Sequence, residues 1–280
     1  RGHLAEALEA LNAGLTVVSE PHSPVHEGML RSRAADVYRL QGELGAALES
    51  DLRAIELADY IGALNVQITR RVHHAHFRVA LGDLGAALRC LTEARELGRA
   101  GELQVRLEVE WAELELAQGQ AKAALERLDK LQELLESQGA EPGEAFAFLQ
   151  LVRAAALLAL NPLSDARALV PLLPQRPALR AFALRIRLGN FGLDPDDEAE
   201  VRLLLASGRM SPLEELQLKL TLALSTLGTL PASEVGTLWA EARALHLRLE
   251  RGLSAEQGAL FRVQLEVWMN PRALFVNPHG

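Results

Sequence analysis

Apolar positions in the middle of the chain recur with a helical period. Leu84, Ala87, Leu88, Leu91, Ala94 and Leu97 make one stripe, and i, i+3, i+4, i+7 spacing predicts an amphipathic helix. Ala121, Ala124, Leu125, Leu128, Leu131 and Leu135 repeat the stripe. The segment between them, 102–117, is patterned differently. Leu103, Leu107, Trp111 and Leu114 form one stripe, while Val105, Val109 and Leu116 lie on other sides. A helix held between two neighbours needs two apolar faces, and a helix on the outside needs one. Alternation of the two kinds predicts stacked helix pairs.

Start and stop signals extend the helical reading to the C-terminal half. A strongly apolar helix is expected from Glu144 to Leu160. A short one starts at Ser164-Asp165-Ala166-Arg167 and is ended by Pro171 and Pro174, because proline removes a donor and clashes with the preceding turn. Pro177 opens a helix over Ala178 to Leu188 as a first-turn proline. Asp194-Pro195 supplies a cap, an N1 proline and then an acidic first turn. Ser211-Pro212-Leu213-Glu214 and Ser254-Ala255-Glu256-Gln257 have the form of capping boxes. These signals predict helices over 194–207, 212–227, 233–251 and 254–269. The tail 270–280 has little reason to be ordered unless it docks.

A period organises the first half. GHLAEAL starts at Gly2, GELGAAL at Gly42, GDLGAAL at Gly82 and GQAKAAL at Gly119, with spacings of 40, 40 and 37 residues. Periods in this range signal stacked supersecondary units. Each glycine stands where a helix C-cap is expected, and Ala7, Ala47, Ala87 and Ala124 each follow it by five residues. A small residue at a fixed place lets paired helices approach closely.

With these positions in hand, the chain resembles the tetratricopeptide repeat family. The family's pattern of a large residue, a glycine and two small residues reads Tyr38, Gly42, Ala47, Ala54, then Arg78, Gly82, Ala87, Ala94, then Glu115, Gly119, Ala124, with Leu131 in place of the last small residue. The resemblance covers 1–140 well and 141–269 poorly. The period is longer than the usual ~34 residues, with the extra length in loops such as Glu20-Pro21-His22-Ser23-Pro24. Longer units of this kind look like the effector-domain repeats of large bacterial transcription activators and signal-transduction ATPases. The fold implied is an all-α right-handed superhelix of about seven helix hairpins. Its regular repeats would occupy 1–140, with degenerate repeats and a capping helix over 141–269 and a tail beyond. The proline-rich stretch Asn161 to Pro177 is the expected bend, or a division into two subdomains.

Composition narrows the function classes. The 280 residues are 49% hydrophobic, 24% charged and only 4% aromatic, which favours helices over strands in a folded chain. A net charge of −8 argues against direct nucleic-acid contact. The central apolar run from Ala154 to Leu160 is seven residues long, whereas a membrane span needs roughly 20. Cys90 is the single cysteine and has no partner for a disulfide. It reads as a small buried hydrophobe, and no cofactor is expected. The chain begins at Arg1 rather than Met, which suggests a segment of a larger cytoplasmic protein.

Among chemistry-bearing residues, His73-His74-Ala75-His76 stands out. His73 and His76 share a helix face, but a metal site needs further ligands, and no nearby pattern supplies them. Arg70, Arg71 and Arg78 form a local basic patch suited to a carboxylate or other anion, or else a solvated face. Glu102, Glu108, Glu110, Glu113 and Glu115 crowd one helix and read as a solvated face. Trp239, Trp268 and Met269 read as packing residues, or as a docking patch near the cap. There is no phosphate loop, dinucleotide fingerprint or nucleophile elbow.

The resemblance implies a concave face lined in the second unit by Met29, Ser32, Asp36 and Arg39. Thr69, Val72, His76 and Val79 follow in the third, and Arg106, Val109, Glu113 and Leu116 in the fourth. Such a lining suits a peptide segment or protein partner, another domain of the same protein, or a small effector. Sugars prefer aromatic platforms. The expected function is a non-catalytic interaction and sensing domain of a transcriptional or signalling regulator. The alternatives are a free-standing adaptor and, lacking any catalytic constellation, an enzyme on an α/α scaffold.

Overall fold

The computed structural model describes residues 2–18, 23–98, 101–137, 144–161, 177–191 and 194–269. The short helix expected from Ser164, the bend at Asn161 to Pro177 and the tail fall almost wholly outside them. The described residues are all-α, with thirteen helices and no strand. The first seven are α1 (Gly2–Val18), α2 (Pro24–Gln41), α3 (Leu44–Ile61), α4 (Leu64–Ala80), α5 (Leu84–Glu96), α6 (Gly101–Ala117) and α7 (Ala121–Ser137). The rest are α8 (Glu144–Leu160), α9 (Pro177–Phe191), α10 (Pro195–Ser207), α11 (Pro212–Ser225), α12 (Ala232–Glu250) and α13 (Ala255–Met269).

Three of the four period glycines, Gly42, Gly82 and Gly119, make hairpins, whereas Gly2 is the first residue of α1 and caps no helix end. Gly42 stands between α2 and α3 with φ 83°, a left-handed conformation that penalises any residue with a Cβ. The turn is closed by Glu43 N–H donating to the Tyr38 carbonyl at 2.9 Å. The same six-to-one bond recurs from Asp83 to Arg78 at 2.9 Å and from Gln120 to Glu115 at 2.8 Å. The three large residues of the family pattern therefore supply the carbonyls that stop α2, α4 and α6. The starts of the later helices also follow their signals. The Asp194 side chain accepts from the Asp196 N–H. Ser211 and Glu214 exchange reciprocal bonds, as do Ser254 and Gln257.

Packing follows the two-face and one-face distinction. In α5, Ala87, Leu91 and Ala94 are fully buried along one side. In α4, Ile68, Val72, Ala75 and Val79 pack with α5 and with Leu107 and Leu114 of α6. The other side of α6 joins Val109 and Ala112 to Ala124, Leu128 and Leu131 of α7 and to Leu149, Val152 and Ala156 of α8. Further clusters link α8 to α9 and α9 through α10 and α11 to α12.

A fifth cluster joins distant parts of the chain. Leu44 and Leu48 of α3 and Phe77 of α4, with Leu81 just beyond it, share one core with Leu213, Leu216 and Leu220 of α11, Leu245 and Leu249 of α12, and Phe261 and Trp268 of α13. The backbones come very close here: a Cβ on Gly45 would lie 1.7 Å from the Gly252 carbonyl oxygen. The C-terminal helices thus pack back against the turn ends of the second and third hairpins. Trp268 and Trp239 belong to this core, so the packing reading of the tryptophans is the one observed, while Met269 keeps 37% of its surface exposed.

Candidate functional site

Charged residues gather where α2, α4 and α6 face α9 and α11. Each is presented by a regular helix, so its place follows from register. Arg70, His73 and His76 are successive i, i+3 positions on α4 and share one face. Arg106, Glu110 and Glu113 are similarly spaced on α6. Asp36, His76 and Glu113 each lie six residues before a hairpin glycine, so they hold the same place in three successive hairpins.

At the α2 side, Arg39 donates through Nη1 to Asp51 Oδ2 at 3.1 Å and pairs through Nη2 with Asp36. Its guanidinium lies over the Phe77 ring, 5.6 Å from the centroid. Arg70 donates to the Ser32 hydroxyl and approaches His73 Nδ1 at 3.3 Å. Because arginine only donates, Nδ1 of His73 is the acceptor and the ring proton belongs on Nε2, which is buried without a partner. Burial, reinforced by the charges of Arg106, Arg70 and Arg39, pushes the His73 pKa down to about 2. His73 is therefore neutral. Arg106 is exposed on α6 and its charge is felt at both Arg70 and His73.

One turn further along α4, His76 Nδ1 lies 3.0 Å from Glu110 Oε2 and 3.0 Å from Glu113 Oε2. The Glu110 side chain is 4% exposed and that of Glu113 22%, whereas half of the His76 surface stays accessible. The Glu110 carboxylate, followed by that of Glu113, holds His76 well above its ordinary value. Burial raises Glu110. The Phe148 ring of α8 meets the His76 ring edge-on, with centroids 6.1 Å apart. From α9, Arg185 extends toward the same group. Its Nη1 donates to Gln217 Oε1 of α11 at 2.6 Å, and burial lowers it to about 10 against the opposing pull of Glu113 and Glu214.

The sequence-derived lining divides in two. Ser32, Asp36, Arg39, His76, Arg106 and Glu113 sit in or beside this charged group. Val72 and Val109 do not: each is 1% exposed and packed between helices. Thr69 is half-buried, and Met29 is 63% exposed at the start of α2. The solvated reading of the acidic helix fails at two positions, since Glu110 is 3% exposed and Glu115 8%. Arg127 of α7 accounts for Glu115, donating to it at 2.6 Å and to Glu108 at 2.5 Å while lying over Trp111. The basic patch is likewise not a solvated face. Arg71 is 8% exposed and bridges Asp59 at 2.7 Å and Glu93 at 2.9 Å, and Arg78 is tied to Asp83 at 2.8 Å. Cys90 packs against the cluster of α4, α5 and α6, where burial raises its thiol.

Glu110, Arg185 and Gln217 are the site residues missed in the sequence. The signal for Glu110 was available: it stands three before Glu113, as His73 stands three before His76. Among the described residues, no helix is long and apolar enough to cross a membrane. Comparison with family models, curated proteins and solved structures finds no match.

Proposed function

We propose that this chain is a non-catalytic binding and sensing domain of a larger cytoplasmic regulatory protein. In this reading it is a right-handed superhelix of about seven tetratricopeptide-like hairpins, and it takes a peptide segment or small effector on the inner face of α2, α4 and α6. One observation carries the proposal. Three arginines, Arg39, Arg70 and Arg106, converge there with the neutral His73, and Arg106 is exposed on that face. Two of the three are already engaged: Arg39 by Asp36 and Asp51, and Arg70 by Ser32. Arg106 is the group positioned to meet an incoming anion, for which a guanidinium offers two parallel donors. Closure of the C-terminal helices onto the second and third hairpins supports a slender ligand over a folded domain.

The test is a thermal-shift and calorimetric screen of anionic metabolites and acidic peptides against the chain and Arg106→Glu. A ligand that binds the parent and is lost in the variant supports the inner face as the site. Hits that bind both equally overturn it.

A further inference from the structure

We propose that His76, Glu110 and Glu113 form a zinc site, with one imidazole nitrogen and two carboxylate oxygens from facing turns of α4 and α6. The three candidate ligand atoms lie within 4.8 Å of one another, and both carboxylate oxygens are 3.0 Å from the same nitrogen, His76 Nδ1. A tetrahedral ion with bonds of about 2.1 Å has ligand-to-ligand edges of about 3.4 Å. The two nitrogen-to-oxygen separations need to open by only a few tenths of an ångström to admit it.

The bonding of the group itself points to a cation. Nδ1 carries at most one proton, yet two carboxylate oxygens face it. One N–H therefore serves two acceptors, the two carboxyl groups also bond each other, and Glu110, whose side chain is only 4% exposed, can carry its charge there only beside a second proton or a cation. Buried charge of this kind is held by pairing or by a metal. The charge of Arg185 is felt at Glu113, but its Nη1 is taken by Gln217. A divalent ion bound by Nδ1, Glu110 and Glu113 would replace the shared proton and leave its fourth position to water or to a ligand entering beside Arg106. The donor set of one nitrogen and two oxygens is one that zinc accepts, with three protein ligands and an open position. The elements that hold it are rigid, since Val109 and Ala112 on the same helix are buried in the α6–α7–α8 core.

The site is independent of the effector reading, and the experiment keeps the two apart. The full chain is titrated with Zn²⁺ alone, in competition with a chelator of known affinity. X-ray absorption of the loaded protein reports the donors. One equivalent should bind, with a single imidazole and otherwise oxygen ligands. Glu110→Gln and Glu113→Gln should each weaken binding by about 100-fold or more, since even outer-shell changes cost about 10–100-fold. Glu133→Gln, in the exposed polar cleft between α7 and α8, should leave it unchanged. If Glu110→Gln fails to fold by circular dichroism, the more exposed Glu113 and the absorption spectrum decide. Absence of binding above that of the double Gln variant, or a spectrum lacking an imidazole, would overturn the zinc site. Either result leaves the triad as an ion pair and the Arg106 test untouched.

Discussion

Two histidines one turn apart on α4 are driven in opposite directions. His73, desolvated and facing Arg70, Arg106 and Arg39, is pushed down to about 2, whereas His76, facing Glu110 and Glu113, is raised. The signs of their contributions to stability differ accordingly. A depressed histidine favours the native state fully above its unfolded pKa of about 6.5 and loses that contribution as the pH falls. A raised histidine contributes fully below about 6.5 and loses its share as the pH climbs through its folded value. His73→Asn should therefore flatten the acid side of a melting-temperature profile, and His76→Gln should lower stability most on that same acid side. Parallel profiles in both variants would show that neither ring titrates as argued. At this scale the sequence was half legible. The position six before each glycine marks Asp36, His76 and Glu113 as equivalents, but counting acids on one helix made Glu110 and Glu115 look solvated. Acids occur around much of α6 because the neighbours bring it His76 on one side and Arg127 on another.

Helices were the most legible level. The expected 194–207 and 254–269 match Pro195–Ser207 and Ala255–Met269 to within one residue at their starts, because proline, serine and aspartate fix a helix start by local chemistry alone. Ends without a glycine were less well placed. The helix expected to reach 227 stops at Ser225, where Thr226 Oγ1 turns back onto the Leu222 carbonyl at 2.8 Å. Ser211→Ala removes one half of a capping box and should cost about 1 kcal/mol in chemical denaturation. Ser254→Ala, at an exposed start, should fall at or below that value. Leu91→Ala, in a helix with one buried face, should cost roughly 3–5 kcal/mol, because Leu91 is fully buried where α4, α5 and α6 meet.

The level hidden from the sequence is the return of the C-terminal helices onto α3 and α4. A period encodes contacts between each unit and the next, so stacking could be read from it. Nothing periodic distinguishes Leu44, Leu48 and Phe77 as surfaces awaiting Leu216, Leu249 and Phe261. Even the one clear trace, Gly45 beside the Gly252 carbonyl, looks in the sequence like a residue of the GELGAAL motif. Gly45→Ala should destabilise by about 1–3 kcal/mol, the usual range for overpacking, or by more, because the opposing atom is backbone and cannot rotate away. Circular dichroism and tryptophan fluorescence should then separate into two transitions in that variant and coincide in the parent, since Trp268 reports the closing core directly.

That shared core also dictates when the protein acquires it. Leu44, Leu48, Phe77 and Leu81 leave the ribosome long before their counterparts on α12 and α13 have been translated. Throughout that interval the early hairpins carry an uncovered greasy flank, a state in which nascent chains are prone to stick or to recruit a chaperone. Synthesis of α13 is thus the step that shields α3 and α4, and a ribosome stalled before Phe261 would hold early hairpins that are built but not yet covered.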